Sequence, residues 1–431
     1  MKNINLLNKN NKPTKKKQDS KKKLSCSLNF YKTEPTKLPM IEVIFLIVVI
    51  CVFGVLVGYL LGINSKQEYN KKTNSSNSNE LNNFIEVYQY ILDNYYGEKE
   101  LTEKELLDSA LSGLLSSIGD VNTVYMDEAT SNNFNIKLEG SYQGLGVEIG
   151  NQATTGRIVI VSIIKDSPAH KAGLKPGDII LKLDGEDITT QTSSYFADYI
   201  KKSDKGKFVL LILRDNEEIE FEIKREKIIL KSVLSKTYER NNKKIGYIYL
   251  SIFANNSYEQ FKEELEKLEK EGIDSLIIDL RDNSGGHMSS AKNILSLFLD
   301  STKVLFQTQD KKGIEKVYSE GNKNKKYKIV LLANSNSASS SEILIAGLKD
   351  NLNAILVGEK TFGKGTVQEL QTLSSGAQYK FTTKKWLTPK GICIDKEGIE
   401  PDYEIELSEE YMKNPTDNND NQLQKALEIL Q

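Results

Sequence analysis

The chain has 431 residues, 39% apolar and 27% charged, a globular composition long enough for about two to four folded units. Its formal charge of −1 hides an asymmetry: residues 1–38 hold eleven lysines against Asp19 and Glu34, so the rest of the chain is acidic, which argues against a nucleic-acid partner. Two histidines, His170 and His287, and three scattered cysteines, Cys26, Cys51 and Cys393, do not supply the clustered ligands of a metal site, so no metal and no organic cofactor is expected.

Residues 1–42 read as a basic tail. From Val43 to Ile63 there is no charge, and about twenty apolar residues suffice to cross a bilayer, so 43–63 is expected to be a transmembrane helix. A cleaved signal would have a shorter apolar stretch ending at a small-x-small site, whereas this one runs into Asn64, Ser65 and Lys66. The lysines at 15–17 and 21–23 keep the N-terminus in the cytoplasm, which places everything after Ile63 on the outer face of a single-pass membrane protein. Cys26, Cys51 and Cys393 then lie in three different environments and cannot pair.

Residues 64–82 form an Asn- and Ser-rich linker. A helical segment is expected over 83–140, where Leu106, Leu107, Leu111, Leu114 and Leu115 recur at helical spacing behind the capping-box pattern Thr102-x-x-Glu105. Residues 141–227 change to short strands separated by Gly, Pro and Asp, around 144–149, 157–161, 178–183, 208–213 and 219–223. With Gly144-Leu145-Gly146-Val147, Ser167-Pro168-Ala169, Ala172-Gly173-Leu174 and Lys175-Pro176-Gly177-Asp178, this stretch resembles a PDZ domain. The resemblance implies that Leu145, Gly146 and Val147 offer backbone amides to a peptide's terminal carboxylate while the peptide adds a strand to the sheet.

Residues 228–410 alternate strand and helix, an α/β pattern with strands expected at 246–253, 275–280, 327–332 and 354–357, and with a second capping box at Ser257 and Gln260. A C-terminal segment, 411–431, closes on Leu423, Ala426, Leu427 and Leu430, which read as an ordinary terminal helix; self-association into a homo-oligomer stays open.

Three motifs in the α/β region carry chemistry. Ala333 to Glu342 is a serine-rich turn opening a helical pattern, where a nucleophile would sit among exposed amides at the positive end of a helix. A serine run alone is ordinarily a cap. The second motif, Gly363-Lys364-Gly365, brings a lysine inward between residues without side chains. To act as a general base near neutral pH such a lysine must fall by roughly three units from about 10.4, which burial can achieve. Gln368 is placed to orient the amine without adding charge. The third motif, Ile277 to Gly286, ends a strand with two glycines, which by themselves mark a turn.

Together and in this order, the three motifs resemble the carboxyl-terminal processing, or tail-specific, proteases, over about residues 83 to 407 and including Leu387-Thr388-Pro389-Lys390-Gly391 and Gly398-Ile399-Glu400-Pro401-Asp402. The resemblance implies a serine endopeptidase with a Ser-Lys dyad. Its SASASE pattern selects Ser339 as nucleophile, its GKG motif selects Lys364 as base, and Gln368 follows four residues on. It also assigns the oxyanion hole to the amides of Gly285 and Ser340, with serine at 340 where alanine is usual, and gives Asp350 a structural place. The expected partners are protein or peptide substrates with free C-termini. Two rival readings are a Ser-His-Asp triad through His287 and a noncatalytic membrane-anchored PDZ adaptor.

Overall fold

The computed structural model describes residues 78–97, 101–322, 324–325 and 327–431, so the spanning helix expected at 43–63 lies outside the described residues. Among the described residues no helix is long and apolar enough to cross a membrane. The chain divides into two units, residues 1–96 and 97–431. The described part of the first is a single helix, α1 (Ser78–Asn94).

The second unit opens with α2 (Glu103–Ser116), β1 (Val124–Met126) and α3 (Glu128–Glu139). The capping box forms as expected: Glu105 N–H donates to Thr102 Oγ1 at 3.2 Å and Thr102 N–H to the Glu105 carboxylate at 3.3 Å. The strand between the helices was not expected. It belongs to a sheet of the α/β part, so the 83–140 segment is not a separate helical layer.

Next come β2 (Ser141–Gly144), β3 (Val147–Asn151), β4 (Ile158–Ile163), α4 (Pro168–Ala172), β5 (Ile179–Leu183), β6 (Glu186–Asp187), α5 (Ser193–Lys202), β7 (Lys207–Arg214), β8 (Glu217–Lys224) and β9 (Glu226–Ile229). Strands β3, β4, β5, β7 and β8 form an antiparallel sheet in that order, with β6 beside β5. Its core holds Ile158, Ile160, Ile180, Phe196, Phe208 and Ile212. Ser167 caps α4, Pro168 opens it and Gly173 ends it at φ 90°, while Asp215 and Asn216, both at positive φ, turn β7 into β8. Strands β2 and β9 pair antiparallel from Ser141↔Ile229 to Gly144↔Glu226, so the chain enters and leaves this module along one two-stranded ribbon.

The remainder is β10 (Val233–Arg240), β11 (Lys243–Leu250), α6 (Ser257–Lys270), β12 (Ser275–Asp279), α7 (Met288–Ser296), β13 (Val304–Asp310), β14 (Gly313–Tyr318), β15 (Lys328–Ala333), α8 (Ser340–Leu352), β16 (Ile355–Gly358), β17 (Thr366–Thr372), β18 (Gln378–Leu387), β19 (Tyr403–Glu404), α9 (Glu409–Lys413) and α10 (Asn421–Ile429). One sheet runs β10-β11-β12-β15-β16-β19, parallel except for the β10–β11 hairpin. Its side chains alternate between two buried faces. Leu276, Ile278, Ile329 and Leu331 meet α6, α7 and α8, whereas Ile277, Val330, Leu332 and Val357 meet Leu423, Ala426 and Leu427 of α10 and the Leu430 that follows it. The terminal segment is therefore part of the core, because a parallel sheet needs cover on both sides.

The second sheet is antiparallel and β18 is its hub, pairing with β1, β13 and β17, with β14 beyond β13. The expected capping box at Ser257 is corrected. Asn256 is the N-cap but its side chain makes no capping bond, its amide donating to Gly140 O instead; Ser257 Oγ accepts from Ala254 N–H, and Gln260 holds Ser232 N–H and Leu230 O.

Candidate active site

Residues 280–286 follow β12, 334–339 follow β15 and 359–365 follow β16, so all three motifs leave the carboxyl ends of adjacent parallel strands. Loops at such an edge converge where an α/β sheet ordinarily binds its ligand.

Ser339 is the N-cap of α8 and is held at φ 57°, ψ −115°, a sparsely populated conformation for a residue with a side chain. Its partly exposed hydroxyl stands at the positive end of a thirteen-residue helix. Ser337 Oγ donates to Leu280 O at 2.8 Å, and Asn283 O accepts from Ala338 N–H at 3.0 Å and from Ser341 Oγ at 2.7 Å. These bonds knit the serine loop to the glycine loop. Gly285 needs to be glycine twice over: it sits at φ 103°, and a Cβ there would come within 2.8 Å of both Ala338 O and the Ser339 Cβ.

Ser340 occupies the first turn of α8, where an amide has no partner within the helix. Its hydroxyl donates to Gly286 O at 3.0 Å, so the departure from alanine fastens the helix to the glycine loop and does not compete with Ser339. The expected second oxyanion donor is engaged elsewhere, because Gly285 N–H donates to Asn283 Oδ1 at 2.9 Å.

Gly363 and Gly365 allow the lysine loop to press against the 395–398 turn; a Cβ at 363 would lie 2.7 Å from Gly398 N and one at 365 would lie 2.5 Å from the Asp395 Cβ. The two loops meet on a residue to which the sequence reading gave no role. Glu342, fully buried in α8, receives Ser339 N–H at 2.8 Å and Lys364 N–H at 2.9 Å on one carboxylate oxygen, and Thr361 Oγ1 at 2.6 Å and Gly363 N–H at 2.7 Å on the other.

The Lys364 amine is held below the ordinary lysine value, first by burial and then by the charge of Lys380, against the opposing pull of Asp120 and Glu342. Gln368 does not reach it. Its amide donates to Thr366 Oγ1 at 2.8 Å and Thr382 Oγ1 at 3.2 Å, and the Thr382 hydroxyl in turn donates to Asp120 at 2.6 Å. Burial pulls the Asp120 carboxyl upward, but bonds from Thr382, Thr123 and Asn122 outweigh it and set it below the usual carboxylate value.

His287 caps α7 without a side-chain bond, its Nε2 buried and unpartnered, so it makes no link to Ser339 and the Ser-His-Asp reading fails. Asp350 pairs with Lys390 at 3.0 Å, a structural tie between α8 and the 387–391 turn. His170 is exposed.

In the PDZ-like module, Leu145, Gly146 and Val147 line a cavity of about 530 Å³ that runs between β3 and α5. Phe196 and Ile200 of α5 supply apolar wall, and Asn132 and Ile136 of α3 close one side. Lys201 Nζ donates to Asn132 Oδ1 at 2.6 Å, tying α5 to α3. Among the described residues no group of His, Cys, Asp and Glu could hold a metal ion.

Comparison with known proteins agrees with this arrangement. The Peptidase family S41 model matches residues 244–405, the PDZ domain model 143–224, and the model of the activating protease CtpB N-terminal domain 60–130. The carboxy-terminal processing protease CtpB of Bacillus subtilis (strain 168) is 36% identical over 334 residues, 77% of this chain and 69% of that protein. CtpA of the same organism is 33% identical over 347 residues, covering 80% and 73%. Among solved structures, a photosystem II D1 C-terminal processing protease is 24% identical with a TM-score of 0.43, over 75% of this chain and 86% of that one. The adaptor alternative is thereby set aside, and the chain belongs to the carboxy-terminal processing proteases, PDZ-bearing serine peptidases of family S41.

Proposed function

We propose that this peptidase trims the C-terminal regions of exported or membrane proteins, with Ser339 as nucleophile and Lys364 as general base. The observation that carries the assignment is the shared Glu342 oxygen, which holds the backbones of both residues at the carboxyl edge of the sheet. The Lys364 amine, biased toward its neutral form by burial, takes the Ser339 proton as the hydroxyl attacks the substrate carbonyl. Ser340 N–H at the α8 N-terminus receives the developing oxyanion, and Gly285 N–H joins it by turning from Asn283 Oδ1. The proton then passes to the leaving amine. Water hydrolyses the acyl-enzyme by the same route. Gln368 acts one step removed, fixing Thr366 and Thr382 beneath the lysine.

The substrate tail docks in the groove between β3 and α5, its carboxylate on Leu145, Gly146 and Val147. The uncharged stretch 43–63 anchors the chain once across the membrane, with the basic tail inside and the peptidase outside. The test compares cells carrying Ser339→Ala with wild type by mass spectrometry of protein C-termini. Outer proteins should keep longer C-termini in the variant. Unchanged termini would remove the proteolytic assignment of Ser339, and changes confined to cytoplasmic proteins would reverse the topology.

A further inference from the structure

The three loops at the carboxyl edge of the parallel sheet expose few side chains: Asp282 and Ser284 after β12, Ser335 and Asn336 after β15, and Lys360 and Phe362 after β16. Phe362 is the one large apolar side chain that these loops leave in solvent, 60% exposed. A single exposed apolar residue is ordinary on a protein surface. The backbone beneath this one is not. Phe362 N–H donates to Ser337 O at 3.1 Å, two residues before Ser339, and Lys364 follows Phe362 by two. On one side of it the Thr361 hydroxyl is held by Glu342 at 2.6 Å and the Thr361 N–H by Ile399 O at 3.2 Å; on the other, Gly363 N–H donates to Glu342 at 2.7 Å. Ser335 N–H reaches the Glu359 carboxylate at 3.4 Å, a further tie between the serine and lysine loops. These hydrogen bonds run inward, so the phenyl ring is what the joined loops show outward, on a backbone fixed from both sides.

We propose that Phe362 is a specificity-determining residue: its ring packs against an apolar substrate side chain that flanks the bond to be cut, so that the peptidase cleaves beside aliphatic or aromatic residues in preference to polar ones. The proposal rests on Ser339 and Lys364 being nucleophile and base. Successive substrate residues lie about 3.8 Å apart, so the side chains flanking a carbonyl at Ser339 come within reach of a residue that one hydrogen bond fastens to the serine loop. Covering an apolar ring with an apolar partner is favourable, and a ring on a fixed backbone has little freedom left to lose. A polar side chain in the same place would be desolvated without a partner. The exposed charges of these loops do not supply one. Asp282 holds the side-chain amides of Asn334 and Asn336, both at 2.9 Å, and Lys360 pairs with Glu400 at 2.7 Å.

The experiment digests denatured casein with the full chain and reads the new termini by mass spectrometry, for wild type, Phe362→Leu, Phe362→Ser, Phe362→Glu and Ser339→Ala. Wild type should cut with Leu, Ile, Val, Met or Phe enriched at one of the two positions beside the bond. Two peptides differing only at that position, Leu against Ser, then give a ratio of kcat/KM in which any change common to both substrates, such as one in the Lys364 amine, cancels. The ratio should fall about tenfold in Phe362→Ser and stay near the wild-type value in Phe362→Leu. Phe362→Glu should turn the preference toward Lys or Arg at the same position, a gain that a merely structural residue would not produce. Absence of apolar enrichment in wild type, or a ratio unmoved in Phe362→Ser, overturns the proposal. Should Phe362→Ser fail to fold, the Phe362→Glu profile decides, and a profile equal to wild type overturns it. If Ser339→Ala still cuts, the assignment of the nucleophile fails; if it is inert while the Phe362 variants keep the wild-type ratio, only the role of Phe362 falls.

Discussion

Glu342 shows what one buried carboxylate can organise. Only an acceptor with two oxygens can take four donors, so Glu342→Gln would leave one pair of donors facing an amide nitrogen. Each buried donor left without a partner costs about 1–3 kcal/mol. We expect Glu342→Gln to lower kcat by about tenfold or more with KM little changed, because the serine and lysine loops lose their common fixing point. Steady-state kinetics with a melting curve would check this, and a normal kcat would separate Glu342 from the alignment of the two loops. Ser339 and Lys364 were legible because each sits in a compact local motif. Glu342 was in plain view as the last residue of its motif, yet its role depends on a loop that follows the next strand. Asp120 carries no local mark, since it meets Thr382 only through the pairing of β1 with β18.

At the level of elements, the parallel strands could be read because both faces are buried and the runs are almost wholly apolar, as in Leu276 to Ile278 and Ile329 to Leu332. The antiparallel sheet could not. Strand β18 reads Gln378-Tyr379-Lys380-Phe381-Thr382-Thr383-Lys384-Lys385-Trp386-Leu387, and β14 is exposed along nearly all its length, so neither has the pattern of a core strand. Helix α10 shows the opposite case, a short amphipathic end that covers half of the main sheet. Arg281 secures its start: buried between Asp279 at 2.5 Å and Asp420 at 2.9 Å, it also donates to Gln422 at 3.0 Å. Leu427→Ala should therefore destabilise the protein by about 2–5 kcal/mol in urea unfolding, as for a core leucine. Leu114→Ala, at an exposed position on α2, should stay within about 0.5 kcal/mol of wild type. Equal effects at the two sites would mean that α10 is not part of the cooperative core.

Across the whole molecule, α3 is a wall common to two functional regions. Asn132 and Ile136 line the cavity between β3 and α5, while the Phe134 ring lies 5.5 Å from the Lys380 amine. A tail that displaces Lys201 from Asn132 would press on the same helix whose Phe134 packs under Lys380 of β18, the strand that also holds the Lys364 carbonyl, which gives tail binding a physical route toward the lysine loop. Removing residues 145–225 and leaving β2 and β9 in place should abolish any preference for a free over an amidated C-terminus and change the cleavage rate. Competition between the two forms of one peptide measures it, and an unaltered rate and preference would show the module to be a bystander. In the sequence this module is flanked by a glycine-rich entry and the Lys224 to Lys227 exit. Its contact with α3 was not legible there, since Asn132 has no sequence signature.

The β2–β9 ribbon has one more implication. Because the polypeptide departs and returns side by side, another tail reader with adjacent termini could be spliced onto the same two strands. Selectivity in such a chimera would be inherited from the graft, while bond scission stayed with the host.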